Sequence, residues 1–479
     1  MLSVKSENFR AKLAQVTTVI AATSGAIADG MHYAWSSPIA PILRSPESPV
    51  GLISESNENL VELIYMIGGL AGLPATIFIV DKFGRKSSIL ISAVGNLISW
   101  FMIAFATRIE VIIAARFLCG MTGDMEFVAG PMYIAEIAEK SIRGLLCGFI
   151  FIAMLIGVVV MYSVGPFLTI QQSSFVGVAF VVTQIITFSF MPESPYYYLV
   201  KKQPEKSKKA LRFLRGGKEN VSEELDEMSI AVERQEKERG RPIDLLIDKG
   251  NRKALTIMTV LNAVQHFSSI SVMLMNLHTI LEDAEGILSS KYSGIVFSLV
   301  MLISALVAIC VVDKFGRKIL LVFSSLLTGI SLTILATYFY FKSENYENIE
   351  YMSWVPVLAV LLYAFAFKCG LGLVPIVMTG ELFPTSVKAM GMTISDAMYV
   401  IFATISLLIY QELIQFGIYV PFYLFAASCI LTAAFVLFYV PETNGKTLEE
   451  IQFILKGLPY PQNSNHFIRN TNGNVNTAL

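Results

Sequence analysis

Twelve long runs of apolar residues, separated by shorter polar stretches, follow one another along the chain. Each run holds about 20 residues, the length at which an α-helix crosses the hydrocarbon core of a bilayer. The predicted spans are 14–40, 60–80, 87–107, 109–131, 145–165, 173–191, 254–280, 293–312, 319–340, 353–379, 388–410 and 417–440. The pattern therefore predicts an all-α integral membrane protein with twelve transmembrane helices, surrounded by the lipid bilayer.

A long polar stretch between the sixth and seventh runs divides the chain into two halves. It contains short amphipathic stretches at 204–215 and 222–238, which indicate a small helical subdomain. We therefore expect five segments: a cytosolic N-terminus (1–13), an N-terminal six-helix bundle (14–191), a cytosolic helical linker (192–253), a C-terminal six-helix bundle (254–440) and a cytosolic tail (441–479).

Composition and charge agree with a membrane protein and give it an orientation. Of the 479 residues, 54% are hydrophobic and only 15% are charged, which is too little charge to cover a soluble surface. The net charge of −1 gives no reason to expect a nucleic-acid partner. If the N-terminus is inside, the inner segments hold 30 of the 36 Lys and Arg residues. This bias predicts that both termini are cytosolic.

Charged motifs at the ends of the spans occur twice. The hexapeptide Asp-Lys-Phe-Gly-Arg-Lys stands at 81–86 and again at 313–318. Two further landmarks repeat in the same order: Glu136 with Arg143 and Glu381 with Lys388, then Pro-Glu-Ser at 192–194 and Pro-Glu-Thr at 441–443. Paired landmarks in one order predict two bundles of the same topology, an organisation typical of transporters. The glycine in each hexapeptide fits a tight connection between two helices, where positive φ is needed.

These motifs resemble those of the sugar porter family of the major facilitator superfamily over nearly the full length of the chain. The segment Trp35-Ser36-Ser37-Pro38 is similar to the insect facilitated trehalose transporter branch. The resemblance implies the twelve-helix major facilitator fold and a carrier for a small polar solute, by resemblance trehalose or a hexose. It also implies that the protein is not an enzyme and needs no cofactor or metal. The location it implies is the plasma membrane.

The repeated charges are the candidates for an inner gate. The candidate gate residues are Asp81, Arg85, Glu136 and Arg143 in the first half and Asp313, Arg317, Glu381 and Lys388 in the second. Charge pairs of this kind can link the two bundles while the inner side is closed and separate as it opens. Each solvent-exposed pair contributes about 1 kcal/mol to the closed state. Several pairs are therefore needed for a useful bias between the closed and the open state. The alternative is that they are ordinary positive-inside residues, which we prefer for the hexapeptide lysines.

The substrate site departs from the family pattern. The resemblance places the site near the bilayer midplane, with amides in the fifth, seventh and eleventh spans and a Trp in the tenth. The aligned residues here are Phe151, Gln265, His266, Ser271, Tyr399 and Ile376. Gln265, Ser269 and Asn276 share one helical face and complete the candidate set. The alternative for these polar residues is that they join helices within a bundle.

A weak point is also expected in the tenth span. Gly370 and Gly372 precede Pro375, and this combination disfavours a continuous helix. A broken helix at this depth is a candidate moving element.

Charged residues inside the spans are candidates for proton coupling. Asp29 and His32 are three positions apart and therefore share a helical face. Related proton-coupled symporters carry an Asp near the position of His32, partnered by the Arg that matches Arg116. A His–Asp pair beside an Arg can titrate near neutral pH. The alternative is a structural pair between Asp29 and Arg116. Asp124 and Glu126 point to different faces of one helix.

Three functions follow from these observations. The leading hypothesis is a facilitative sugar carrier that works by alternating access. A proton-coupled sugar symporter and a non-transporting sugar sensor are the alternatives. An enzyme is not expected, because no nucleophile–base or metal constellation stands out.

Overall fold

The computed structural model describes residues 2–46, 48–139, 142–218, 221–237, 241, 243–284, 289–347, 349–384, 386–446 and 448–458. The helices of the N-terminal half are α1 (Leu2–Ala34), α2 (Ser36–Leu43), α3 (Glu55–Phe83), α4 (Arg85–Ala104), α5 (Ile109–Ile137), α6 (Arg143–Val164) and α7 (Ile170–Ser189). They correspond to the first six predicted spans. Helix α1 begins at Leu2 and therefore extends into the segment predicted as the N-terminus (1–13). The sequence permits this, because no Gly or Pro interrupts the chain before Gly25.

The linker is helical at both predicted amphipathic stretches. Its helices are α8 (Pro195–Val200), α9 (Pro204–Leu214), α10 (Ser222–Lys237) and α11 (Asp244–Ile247). Gly216 and Gly217, which follow α9, both have positive φ, as expected of residues that end a helix.

The second half repeats the arrangement of the first. Its helices are α12 (Lys249–Phe267), α13 (Ile270–Ala284), α14 (Ser290–Phe315), α15 (Arg317–Ser343), α16 (Val355–Cys369), α17 (Val374–Leu382), α18 (Lys388–Leu413) and α19 (Tyr419–Tyr439), followed by α20 (Leu448–Lys456). By length and composition, ten helices of the described residues could cross a membrane. The first and fourth predicted spans, which form α1–α2 and α5, are more polar and lie outside these ten.

Three spans are each made of two helices. The first is interrupted at Trp35 and the seventh at Ser268 and Ser269, where Ser269 has a φ of +75°. A serine at positive φ is strained, and such strain is often found at functional positions. The tenth is interrupted between Cys369 and Val374, where the glycines predicted a weak point.

Small residues bring the helices of the N-terminal bundle into close contact. A Cβ at Gly30 of α1 would lie 2.0 Å from the carbonyl oxygen of Met154 in α6. A Cβ at Gly157 of α6 would lie 1.9 Å from the carbonyl oxygen of Ile27. The two backbones therefore touch, which is how membrane helices pack in the absence of a hydrophobic driving force between them. Across the bundles, α2 packs on α13, α6 on α14 and α3 on α18.

Candidate functional site

The interface between the two bundles has two ends. We call the linker end the one that carries the turns at Gly84 and Gly316 and the linker helices. We call the far end the opposite one, which carries the connections 44–54 and 414–418. The polar residues of the interface fall into a far-end group, a central layer and a linker-end group.

At the far end, hydrogen bonds join α2 to α13. The Ser37 hydroxyl accepts a hydrogen bond from the backbone N–H of His278 at 3.1 Å and lies 2.8 Å from His278 Nδ1. Both side chains are buried. A hydroxyl has one proton and two acceptor lone pairs, so it can donate to Nδ1 in one tautomer of the imidazole and accept from it in the other. Two bonds at one residue therefore fasten the N-terminal bundle to the C-terminal bundle.

Further far-end bonds involve other helices of both bundles. They are Asn276 Nδ2 to Glu62 Oε2 at 3.0 Å, the Tyr162 hydroxyl to the Leu274 carbonyl at 2.9 Å and Gln411 Nε2 to the Asn59 carbonyl at 3.1 Å. Each donor is in one bundle and its acceptor in the other, so the far end is closed by a set of bonds rather than by one contact.

The central layer contains three of the predicted substrate residues. The Ser271 hydroxyl lies 2.8 Å from His266 Nδ1 and shares a hydrogen bond of 3.1 Å with the Tyr33 hydroxyl of α1. The ring of Tyr399 stands edge-on to His266 with 4.2 Å between centroids. The structure thus brings His266, Ser271 and Tyr399 together, and it adds Tyr33, which the sequence did not predict at this site.

Gln265 lies beside this layer and forms a hydrogen bond to the backbone where the tenth span is interrupted. Its Nε2 donates to the carbonyl of Leu371 at 2.7 Å. Ser324 accepts from the Leu371 N–H at 2.9 Å and donates to the Ala366 carbonyl at 2.7 Å. These bonds satisfy backbone groups that the interrupted helix leaves open, which is required inside a membrane.

The remaining predicted substrate residues lie in other surroundings. Asn276 belongs to the far-end group, and the buried Ser269 hydroxyl has no hydrogen-bond partner among the described residues. Phe151 packs near Phe127 within the N-terminal bundle, with 6.3 Å between ring centroids. Ile376 is exposed on α17. Their role in binding stays a prediction.

At the linker end, the repeated charges pair within each bundle. Arg85 binds Glu136 at 2.9 Å, and Arg317 binds Glu381 at 2.8 Å. The expected pairing between bundles is therefore not the one these four residues make here, and it stays a prediction for a state in which this end is closed. Each copy of the repeat serves its own bundle.

The other four candidate gate residues are not members of these two ion pairs. Arg143 donates to the backbone carbonyl of Ala138 at 3.2 Å, and Asp81 is exposed on α3. Lys388 is the first residue of α18. The side chain of Asp313 lies outside the described residues.

Two repeated glutamates at this end have a role that the sequence pattern did not predict. Glu193 accepts hydrogen bonds from the backbone N–H of Lys86 at 3.0 Å, and Glu442 accepts from that of Arg317 at 3.0 Å. Each carboxylate thereby caps the helix that follows the hexapeptide, where the helix dipole favours negative charge. The common order of the hexapeptides and the Pro-Glu-Ser/Thr motifs was the signal that could have revealed it.

The glycines of the hexapeptides make these caps fit. Gly84 and Gly316 have φ of +96° and +84°. A Cβ at Gly84 would lie 2.3 Å from Glu193 Oε2, and one at Gly316 would lie 2.7 Å from Glu442 Oε2. Both the conformation and the space therefore require glycine, as the sequence predicted for the conformation.

The pKa values of the two capping carboxyls are shifted in opposite directions. Burial raises the pKa of the Glu193 carboxyl, and the backbone donors of Ser194 and Lys86 offset only part of the rise. Burial also acts to raise the pKa of Glu442, but the backbone N–H groups around it, among them those of Asn444 and Arg317, outweigh it and leave this pKa below its ordinary value.

The candidate proton-coupling residues are neighbours without an ion pair between Asp29 and Arg116. Arg116 donates to the carbonyl of His32 at 2.6 Å and stands over the ring of Tyr65, with 4.4 Å to the centroid. Asp29 Oδ1 accepts from Asn96 Nδ2 at 2.5 Å. The expected structural pair is thus replaced by an amide contact for the carboxylate and by carbonyl and cation–π contacts for the guanidinium.

His32 takes part in a different contact. Its ring stacks on Trp100 with 3.8 Å between centroids, and Nε2 lies 3.2 Å from the Ser99 hydroxyl. Asp29 and His32 therefore face different partners on α4, although they share one face of α1.

The fold and the interface define a multi-pass membrane protein with the major facilitator fold, as predicted. The chain belongs to the sugar (and other) transporter family, which matches residues 16–455. The resemblance to sugar porters is thereby confirmed.

Curated relatives include insect proteins. The chain is 28% identical over 448 residues to the facilitated trehalose transporter Tret1 of Aedes aegypti, covering 92% of this chain and 55% of that protein. It is 30% identical over 401 residues to the facilitated trehalose transporter Tret1-2 homolog of Drosophila simulans, covering 83% of this chain and 81% of that protein. The chain spans about half the length of several of these relatives.

Solved structures with the same fold include the xylose transporter XylE from E. coli. Its partially occluded inward open conformation matches with a TM-score of 0.72 at 21% identity, covering 90% of this chain and 99% of that one. Its inward open conformation matches with a TM-score of 0.69 at 21% identity, covering 93% of this chain and 98% of that one.

Proposed function

We propose that this chain is a facilitative carrier that moves a sugar, trehalose or a hexose, across a membrane by alternating access. The observation that carries the proposal is the uneven interface. Hydrogen bonds join the bundles at the far end and in the central layer, whereas the described ion pairs of the repeated motifs stay within each bundle. A carrier keeps one end sealed at a time, and this arrangement suits a state that opens at the linker end.

The choice of solute rests on the relatives. The insect proteins are named as trehalose transporters and the solved structures as a xylose transporter, which are statements about those proteins. Applied to this family member, they favour a sugar over an ion or a peptide.

The solute is proposed to bind at the central layer. His266 Nε2 is buried in this layer, and the Ser269 hydroxyl is buried nearby at the break between α12 and α13. Neither atom has a hydrogen-bond partner among the described residues. A sugar hydroxyl can both donate and accept, so it can satisfy either atom. The ring of Tyr399 supplies an aromatic surface beside them.

The orientation is proposed from the basic residues. The linker end, with the linker and both termini, faces the cytosol, since the inner segments hold most of the Lys and Arg. The plasma membrane is the proposed location.

Proton-coupled sugar symport is the second candidate. One solved structure with the same fold is a proton:xylose symporter, at a TM-score of 0.68 and 22% identity. Asp29, His32 and Arg116 are the residues that would serve such coupling. Uptake that is independent of outside pH in the parent protein would exclude this candidate, and loss of a pH dependence in Asp29→Asn would support it.

The proposal is tested by uptake of radiolabelled trehalose and glucose in oocytes, at acidic and at neutral outside pH. The result expected is saturable uptake of at least one sugar that does not change with pH. His266→Ala should raise the sugar concentration at which uptake is half-saturated. Gln172→Ala, a change in the first turn of α7, should leave this concentration unchanged. Absence of uptake in cells with confirmed surface expression would contradict a sugar carrier and favour a sensor.

A further inference from the structure

Two buried carboxylates lie inside the N-terminal bundle, away from the bundle interface. Asp29 of α1 and Glu126 of α5 have exposed fractions of 2% and 0%. The donors that reach them are neutral amides: Asn96 Nδ2 donates to Asp29 Oδ1 at 2.5 Å, and Gln184 Nε2 donates to Glu126 Oε1 at 2.8 Å. Neutral donors do not cancel a carboxylate's charge, and an uncompensated buried charge is costly.

Close packing places the two carboxylates next to each other. A Cβ at Gly25 would lie 2.0 Å from Gln184 Oε1, so this amide rests on α1 one turn before Asp29. A Cβ at Gly123 would lie 3.3 Å from Asp29 Oδ1, so Asp29 rests on α5 one turn before Glu126. The carboxylates are therefore about one turn apart along the seam of the two helices.

Three oxygens of this cluster have no hydrogen-bond partner among the described residues. They are Asp29 Oδ2, Glu126 Oε2 and Gln184 Oε1. The amide oxygen of Gln184 can only accept, and the two carboxylate oxygens can only accept as long as the carboxyls are ionised. The hydroxyl of Ser92, which neighbours Glu126, uses its proton for the Thr122 carbonyl at 2.6 Å. The cluster thus consists of buried oxygens that still require a proton or a cation.

The basic and titratable groups around the cluster do not supply that charge. Those that face it are His32 on α1, Tyr65 on α3, and Arg116 and Cys119 on α5. Arg116 is engaged by the His32 carbonyl and the Tyr65 ring, and His32 is stacked on a tryptophan. The charged residues of α4 and α6 are confined to their first turns, and α7 has none.

We propose that Asp29, Glu126 and Gln184 form a binding site for a small monovalent cation, H⁺ or Na⁺. Both ions bind to carboxylate and amide oxygens, and both are used by secondary transporters. The site lies within one bundle and not at the central layer, so it is a second site that does not depend on which solute the protein carries.

The test is the thermal unfolding of the purified full chain in nanodiscs, followed by tryptophan fluorescence. The parent is measured in choline chloride and in sodium chloride of equal ionic strength, and in choline from about pH 8 to about pH 5.5. A ligand that binds only the folded state raises the unfolding temperature, here by about 2–5 °C. A rise with Na⁺ at constant pH identifies sodium, and a rise with acid that Na⁺ does not change identifies the proton.

The variants decide whether the cluster is the site. In the double variant Asp29→Asn/Glu126→Gln, the unfolding temperature should no longer rise with Na⁺ or acid. In the control Asp396→Asn, which neutralises a carboxyl in a C-terminal span, the rise should remain. The proposal is overturned if the double variant responds to Na⁺ and pH as the parent does. Where the double variant does not fold, each single variant is used, and a parent that responds to neither ion also overturns it. None of these measurements involves sugar uptake, so they do not depend on the proposed function.

Discussion

The far end and the linker end of the interface differ in what their polar groups bind. At the far end, residues outside the repeated motifs, such as Ser37 and His278, join one bundle to the other. At the linker end, the duplicated residues form the same pair twice, Arg85 with Glu136 and Arg317 with Glu381, each inside its own bundle. The charged residues of the repeated motifs therefore join helices within each bundle, and residues outside these motifs join the two bundles.

This difference has an energetic consequence. A net hydrogen bond contributes about 1 kcal/mol, so the cross-bundle bonds of the far end together favour its closed state by several kcal/mol. A bias of this size holds most molecules in one state until a ligand binds the other state better.

The largest effect is expected from fixing the far end. In a background without the five native cysteines, oxidation of Ser37→Cys/His278→Cys should link α2 to α13 and abolish at least about 90% of uptake, because the far end can no longer open. Reduction should restore uptake, and each single cysteine variant should be insensitive to oxidation. Full uptake by the cross-linked protein would contradict the account.

A smaller effect should distinguish pairing within a bundle from pairing between bundles. A double-mutant cycle of Arg85→Ala and Glu136→Gln, measured by thermal unfolding, should give a coupling of about 1–3 kcal/mol, because the partly buried side chains are in direct contact. The cycle of Arg85→Ala with Glu381→Gln should give a coupling near zero. A larger coupling free energy between Arg85 and Glu381 than between Arg85 and Glu136 would instead place the gate pairs across the interface of the two bundles.

Removal of one far-end residue should shift the balance without stopping transport. Ser37→Ala loses both bonds to His278, so the closed far end should become less favourable by about 1 kcal/mol, or roughly fivefold in population. Distance measurements between spin labels at the far end would show the shift. Ser163→Ala, whose hydroxyl bonds only to its own helix, is the matched control.

The smallest effect compares the two helix caps. The raised pKa of Glu193 means that its contribution to stability is present at low pH and is lost as pH rises through that pKa. The lowered pKa of Glu442 means that its contribution is present above the unfolded pKa and is lost as pH falls. At pH 7, Glu442→Gln should therefore destabilise by about 1 kcal/mol, more than Glu193→Gln.

The same two variants should respond to acid in opposite directions. Thermal unfolding from neutral pH to about pH 4 should show the cost of Glu442→Gln decreasing and that of Glu193→Gln increasing. A parallel change in both variants would show that the two caps are electrostatically alike.

The fold was accessible from the sequence because it depends on patterns that repeat. The apolar runs predicted the helices, and the paired hexapeptides predicted the two bundles. Gly370 and Gly372 also predicted the interruption of the tenth span. The interruption at Ser269 was not predicted, since serine at positive φ has no local sequence signal.

The site was accessible only in part, because its contacts join residues far apart in the chain. Family alignment indicated His266, Ser271 and Tyr399, which do come together, but Tyr33 enters from a helix more than 200 positions earlier. The same holds for Asp29: charge alone offered Arg116 as a structural partner, whereas packing places Asn96 beside the carboxylate. Such choices depend on how helices are oriented, which neither composition nor periodicity specifies.

The most direct test of the account is the distance between the bundles at both ends, measured by pulsed electron paramagnetic resonance on one protein. Spin labels at the exposed Glu55 and Glu412 report the far end, and labels at the exposed Lys82 and Lys314 report the linker end. Without solute, the far-end pair should be short and narrowly distributed, and conditions that lengthen it should shorten the linker-end pair. If both distances lengthen or shorten together, the result contradicts alternating access. If the far end is open and the linker end closed in the protein without solute, the result contradicts the arrangement of the two ends described above.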